Sequence, residues 1–276
     1  MNQQSTKEKE YDDKFEIFSK WLDTANDVNN SYFELFETGM PILNDHIKGW
    51  SDKVTLIVLM EFIVRLSTIK NGLLQLGKED NYYSMNVLYR SFLEHWLKAT
   101  YIWTRYSNEK SDETGNEYRS LVRIGEEVQY GISLKRMSEI MDLESKNLNV
   151  WQHIIKHLPS LKDTSHQSVK DAVANFDYKN IIRYLSEHKA PGSDFIPALV
   201  SDYSRLSSFV HGGPSTIDSY HSETDDHFKQ SEGMIRFAIN MTAVHTYSVF
   251  ALTLRENTKN SENMKEVIYK LRKIII

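Results

Sequence analysis

Tyr89–Trp103, YRSFLEHWLKATYIW, decides the fold. Met85, Leu88, Phe92, Trp96, Ala99 and Trp103 recur at three- and four-residue spacings, one stripe of a helix from about Asn81 to Tyr106. Val87, Leu97 and Tyr101 fall on the other side, so this helix is covered on both sides. That second side also carries Arg90 and Glu94. A covered guanidinium–carboxylate pair has to be well hydrogen-bonded, either as an internal brace or as part of a site.

Working outward, the preceding helix, from about Ser51 to Leu76, is apolar on most faces (Val54, Leu56–Met60, Phe62–Val64, Leu66), which means burial against several neighbours. Glu61 and Arg65 are spaced to pair along it. Before it, Tyr11, Phe15, Phe18, Leu22, Ala25, Val28, Tyr32 and Leu35 predict an amphipathic helix over about 10–37, stopped by Gly39 and Pro41. Residues 1–8 read as disordered. On the C-terminal side, Phe237–Leu254 contains no Asp, Glu, Lys or Arg, but Asn240, Thr242, His245, Thr246 and Ser248 make it a buried core helix rather than a membrane span. His245 is expected to be a hydrogen-bonded core residue, and His95, beside Glu94, to join the internal network. The three terminal residues Ile274–Ile276 are expected to pack against this chain or a second subunit.

With 276 residues, 40% of them hydrophobic, and only 5 Pro and 11 Gly, the chain can form an all-α bundle of about eight to ten helices. The reading is a single helical domain over 1–276. Its core spans about 10–106 and 194–276, and the more polar middle third, about 108–190, forms a helical insertion or cap. The absence of Cys excludes disulfide scaffolds, Cys-based zinc sites and Cys nucleophiles. The polar start, MNQQSTKEKEYDDK, is unlike a signal peptide, so a cytoplasmic location is expected. A net charge of −5 argues against a broadly basic nucleic-acid surface but leaves room for a local groove.

Ser201–Pro214, SDYSRLSSFVHGGP, reads as a helix end, with Gly212-Gly213-Pro214 as the stop and Ser193-Asp194 as the cap at the other end. Ser201, Arg205 and Ser208 follow one stripe, and His211 continues it. A histidine in a last turn is also favoured by the helix dipole alone. No P-loop, HExxH or GxSxG is present. His211, His221 and His227, near Glu223, Asp225 and Asp226, are an alternative ligand set for zinc, manganese or iron in a metal-dependent hydrolase.

The run Arg205-Leu206-Ser207-Ser208-Phe209-Val210-His211 resembles the R-x(4–6)-H motif of the HEPN superfamily, helical bundles common in prokaryotic toxin and phage-defence systems. That resemblance implies metal-independent RNA cleavage, with His211 as general acid/base and Arg205 stabilising the phosphorane. It implies RNA or a nucleotide as substrate, no cofactor, no membrane, and a homodimer or higher homo-oligomer. Where the superfamily's ribonucleases often have Asn, Asp or His after the Arg, this chain has Leu206. Arg90-Ser91-Phe92-Leu93-Glu94, together with Leu206-Ser207 and Val210-His211-Gly212, also resembles a family of bacterial helical proteins of unknown function, over roughly residues 50–255. This second likeness implies that Arg90, Glu94, Ser207 and His211 come together, and it names no reaction; Arg90, Glu94, Ser207 and Ser208 are the candidates for orienting the pair or binding substrate. A non-catalytic helical module binding a nucleotide, a small ligand or a protein is the other reading of the same residues.

Overall fold

The computed structural model describes residues 3–47, 53–143, 147, 149–157, 163–188, 195–213, 216, 227–256 and 261–274. Among them are ten helices and no strand, an all-α multi-helix bundle. They are α1 (Gln3–Ile47), α2 (Val54–Lys78), α3 (Tyr82–Glu109), α4 (113–140), α5 (Val150–His157), α6 (His166–Asn175), α7 (Tyr178–Glu187), α8 (Ile196–His211), α9 (His227–Glu256) and α10 (Ser261–Leu271). No helix among the described residues is long and apolar enough to cross a membrane.

The chain divides into two compact units. The first comprises residues 1–51, 59–100 and 191–276. Its side-chain pairings fix the helix directions. Phe18 meets Phe228, and Gly39 lies against the Phe250 ring, so α1 and α9 run parallel. Leu22 reaches Gly77 and Tyr32 bonds Ser67, so α2 runs antiparallel to α1. Tyr82 pairs with Gln230, Trp96 with Phe237 and Thr100 with His245, which sets α3 parallel to α9. Phe92, Leu93 and Trp96, from the stretch that opened the reading, are at most 2% exposed. α10 packs on α1 and α9 through Met264, Val267 and Leu271, and Ile274 is buried against this same chain.

α1 differs from the expectation at both ends. It is helical from Gln3, and it runs through Gly39 and Pro41 to Ile47. The proline forfeits one backbone hydrogen bond. Burial of Leu43 and the approach of Gly39 to Phe250, where a Cβ would come within 2.2 Å of the ring, outweigh that loss. The expected Glu61–Arg65 pair does not form; the Arg65 guanidinium lies over the Phe62 ring at 5.5 Å.

The second unit comprises 52–58 and 101–190. α3 continues to Glu109 and α4 begins at Glu113. Within α4, Glu117–Val122 is π-helical. Ile124, Val128 and Val169 form this unit's small core, with Leu121, Ile132, Trp151 and Ile154 packed on it. Gly115 leaves no room for a side chain; its amide donates to Thr55 Oγ1 at 3.2 Å. α5 is the helix Val150–His157, and 144–146, 148 and 158–162 lie outside the described residues. Met137 of α4 is half exposed, and Tyr130, Leu134, Ile140 and Met141 are exposed as well.

Candidate functional site

The site is built where α8 crosses α3, antiparallel to it. The core face of α8 is Leu199, Leu206 and Phe209, all buried. Pro197 stands in its first turn, where no intrahelical N–H is needed. The Ser193-Asp194 cap lies outside the described residues, and Phe195 occupies the N-cap position. At the other end Gly212 adopts φ 63°, ψ 37°, the left-handed conformation that a glycine takes without strain. The amides of Gly212 and Gly213 both donate to the Ser208 carbonyl. The Phe209 carbonyl, free of any intrahelical donor, accepts from Tyr83 Oη at 2.8 Å. These bonds hold the last turn of α8 to α3.

On one flank of α8 the structure joins four side chains. Arg90 Nη1 lies 2.8 Å from Glu94 Oε1. Arg90 Nη2 donates to Tyr203 Oη at 2.7 Å, and Tyr203 Oη donates onward to Glu94 Oε1 at 2.9 Å. Arg90 Nε donates to Ser207 Oγ at 3.3 Å, and that hydroxyl donates to the Tyr203 carbonyl. The guanidinium also sits 4.3 Å from the centre of the Tyr203 ring. Arg90 keeps 15% of its side-chain surface and Glu94 36%, so the pair is sheltered but not sealed. Its charge is neutralised and its donors are engaged: this network braces α8 against α3. Tyr203→Phe removes two hydrogen bonds from the brace while keeping the ring over Arg90. We expect a loss of about 1–2 kcal/mol in urea unfolding.

On the other flank Arg205 Nη1 donates to Asn86 Oδ1 at 3.1 Å, and Asp202 Oδ1 lies 3.8 Å from Arg205 Nε. Asn86 is fully buried and anchored by its own bond to the Tyr82 carbonyl. Arg205 remains 41% exposed. His211 is the last helical residue and is exposed, with no hydrogen bond or ion pair to another described residue. Six residues of α-helix separate Arg205 and His211 by about 9 Å along the axis and about 120° around it. Arg90, Glu94 and Ser207 therefore come together, while Arg205 and His211 stand on different flanks of one helix end. Ser208 takes part through its carbonyl.

Tyr203 and Asn86 complete the site and were not singled out from the sequence. Both had a signal. Asn86, Arg90 and Glu94 recur every four residues on α3, and Tyr203 and Ser207 do so on α8. His95 does not join the network: its Nδ1 bonds the Ser91 carbonyl at 2.7 Å, and its ring meets the Phe62 edge. Adjacent residues on a helix point about 100° apart, so His95 cannot share Glu94's direction. His245 is buried, 3.1 Å from Thr100 Oγ1, and burial lowers its pKa to about 4. Of the alternative metal set, His221 lies outside the described residues. His227 Nε2 is 3.5 Å from Asp80 Oδ1, and its ring packs against Tyr11, Tyr82 and Phe228. Among the described residues no three His or carboxylate side chains group as metal ligands.

Comparison with protein-family models, curated proteins and solved structures finds no match.

Proposed function

We propose that the exposed end of α8 cleaves RNA without a metal ion. The observation that carries this is the division of labour between the two arginines. Arg90 is consumed by its brace. Arg205 keeps solvent access and is held by one neutral hydrogen bond, to Asn86, and a long, exposed ion pair with Asp202 at 3.8 Å, so a phosphate can compete for it.

In this reading Arg205 holds the non-bridging oxygens of a phosphodiester. The His211 imidazole takes the proton of the neighbouring ribose 2′-hydroxyl. That oxygen attacks phosphorus, the bond to the 5′-oxygen breaks, and the leaving oxygen takes up a proton. A second copy with its own α8 alongside supplies the second proton-transfer group, in a homodimer. The asparagine, aspartate or histidine often found after the arginine in HEPN ribonucleases is Leu206 here, buried in the core, so it has no part in the chemistry.

RNA incubated with the protein in EDTA should yield 2′,3′-cyclic phosphate and 5′-hydroxyl ends. Cleavage that requires an added divalent ion, or that leaves 3′-hydroxyl ends, contradicts the reading. The second reading, binding without turnover, is favoured by one specific feature: no described side chain orients the His211 ring, and general bases commonly have such a partner. It predicts RNA or nucleotide retention with no new ends.

A further inference from the structure

The second unit contains a groove of about 740 Å³ between α4 and α5, bordered by the start of α6. It is within the range of small-molecule sites, about 300–1,000 Å³. Its wall includes Lys135, Arg136, Glu139, Asn147, Trp151 and His166. The Trp151 and His166 rings stack with centroids 4.8 Å apart at 15°. Trp151 is seated on the unit's core, which fixes this platform. Lys135, Arg136 and Glu139 have no ion pair among the described residues. Two unpaired cations, one unpaired carboxylate, an amide and a fixed aromatic pair therefore face one open volume.

From this juxtaposition we infer that the groove binds a nucleoside phosphate. Each part of such a ligand has a counterpart. The base has a π surface to stack on, as in single-strand binders. The phosphate has Lys135 and Arg136, a point charge and a planar fork. A ribose diol donates well to a carboxylate such as Glu139, the pairing used for ribose hydroxyls in dinucleotide folds. The Asn147 amide offers a donor and an acceptor to a base edge. The carboxylate argues against a bare phosphate or sulfate, which would be repelled by it. The inference does not depend on the α8 chemistry. The ligand is either a free nucleotide or one nucleotide of an RNA strand.

The test uses the full-length protein, titrated by calorimetry with AMP, with adenosine, and with a ten-nucleotide oligoadenylate. AMP is expected to bind with a Kd below about 1 mM. Adenosine should bind at least about tenfold more weakly, for want of the phosphate. The variant Lys135→Gln/Arg136→Gln, whose side chains make no hydrogen bond to another described residue, should lose at least about tenfold in AMP affinity. Trp151→Phe, which preserves the core seat, should weaken AMP by a smaller factor. Tighter binding of the oligonucleotide than of AMP, with a salt dependence that the double variant reduces, assigns the site to an RNA strand; equal or weaker binding assigns it to a free nucleotide. Absence of heat with both AMP and the oligonucleotide at about 1 mM, or unchanged affinity in the double variant, overturns the proposal.

Discussion

Lys70→Met should stabilise the protein, by about 2–4 kcal/mol at pH 7. Lys70 lies in α2 with 1% of its surface exposed, and no carboxylate among the described residues pairs with it. Its ammonium rests 4.0 Å from the centre of the Tyr32 ring. Such a contact is worth about 2 kcal/mol when desolvated, less than burial of the charge costs. The surroundings are polar but already committed. Tyr32 Oη is bonded to Ser67 Oγ and Thr246 Oγ1, at 3.2 and 2.9 Å. Burial lowers the Lys70 pKa from 10.5 to about 7. Below pH 7 both folded and unfolded chains carry the proton, and the folded state bears the full penalty. Between pH 7 and 10.5 the unfolded chain holds more protons, so wild-type stability rises with pH and the penalty fades. The gain from Lys70→Met should therefore be largest at pH 7 and below, and small near pH 10.5. His245, held near pKa 4, adds a separate rise in stability between pH 4 and 6.5, which Lys70→Met leaves in place. Urea unfolding of both proteins from pH 4 to 10 reads these slopes. A variant less stable than wild type at pH 7 would mean that Lys70 is held by a partner stronger than the Tyr32 ring.

The second large effect concerns RNA cleavage. His211→Ala removes the proton-transfer group and should lower the rate by about 10²–10⁴. Arg205→Ala removes the phosphate clamp and should lower it by about 10²–10³. Arg205→Lys restores the charge but not the planar fork, and should recover only part of the loss. His211→Ala should unfold within about 0.5 kcal/mol of wild type, whereas Arg205→Ala leaves the buried Asn86 Oδ1 without its donor and should lose about 1–3 kcal/mol. Tyr203→Phe behaves in the opposite way: it loosens the brace and lowers stability while cleavage chemistry at 25 °C is largely kept. This contrast separates the Tyr203 brace from the two side chains proposed to act, Arg205 and His211.

Much of the fold could be read from the sequence because the long helices are strongly periodic. Met85, Phe92, Trp96 and Ala99 are buried as their spacing requires, and Leu88 is half-buried. The covered pair Arg90–Glu94 was legible for the same reason: two charges four residues apart, on a side that also carries Leu97 and Tyr101. Its third member was not, since Tyr203 lies among apolar residues and only its hydroxyl gives it a polar role. Gly39 and Pro41 were misread as a stop because local propensity ignores Phe250, more than two hundred residues away. Nothing in Glu117–Val122 signals a π-helix, which depends on how the backbone is packed rather than on residue type. Lys70 escaped notice because Lys is ordinarily a surface residue, and its burial against Tyr32 of α1 is a tertiary contact.

The most direct test is single-turnover cleavage of a labelled RNA in EDTA, comparing wild type with the Arg205→Ala/His211→Ala double variant, each confirmed folded by circular dichroism. The account predicts cyclic-phosphate ends from the wild type and none above background from the double variant. Equal cleavage by the two proteins would remove α8 from the chemistry. RNA bound but uncut by the wild type would leave α8 as a binding surface.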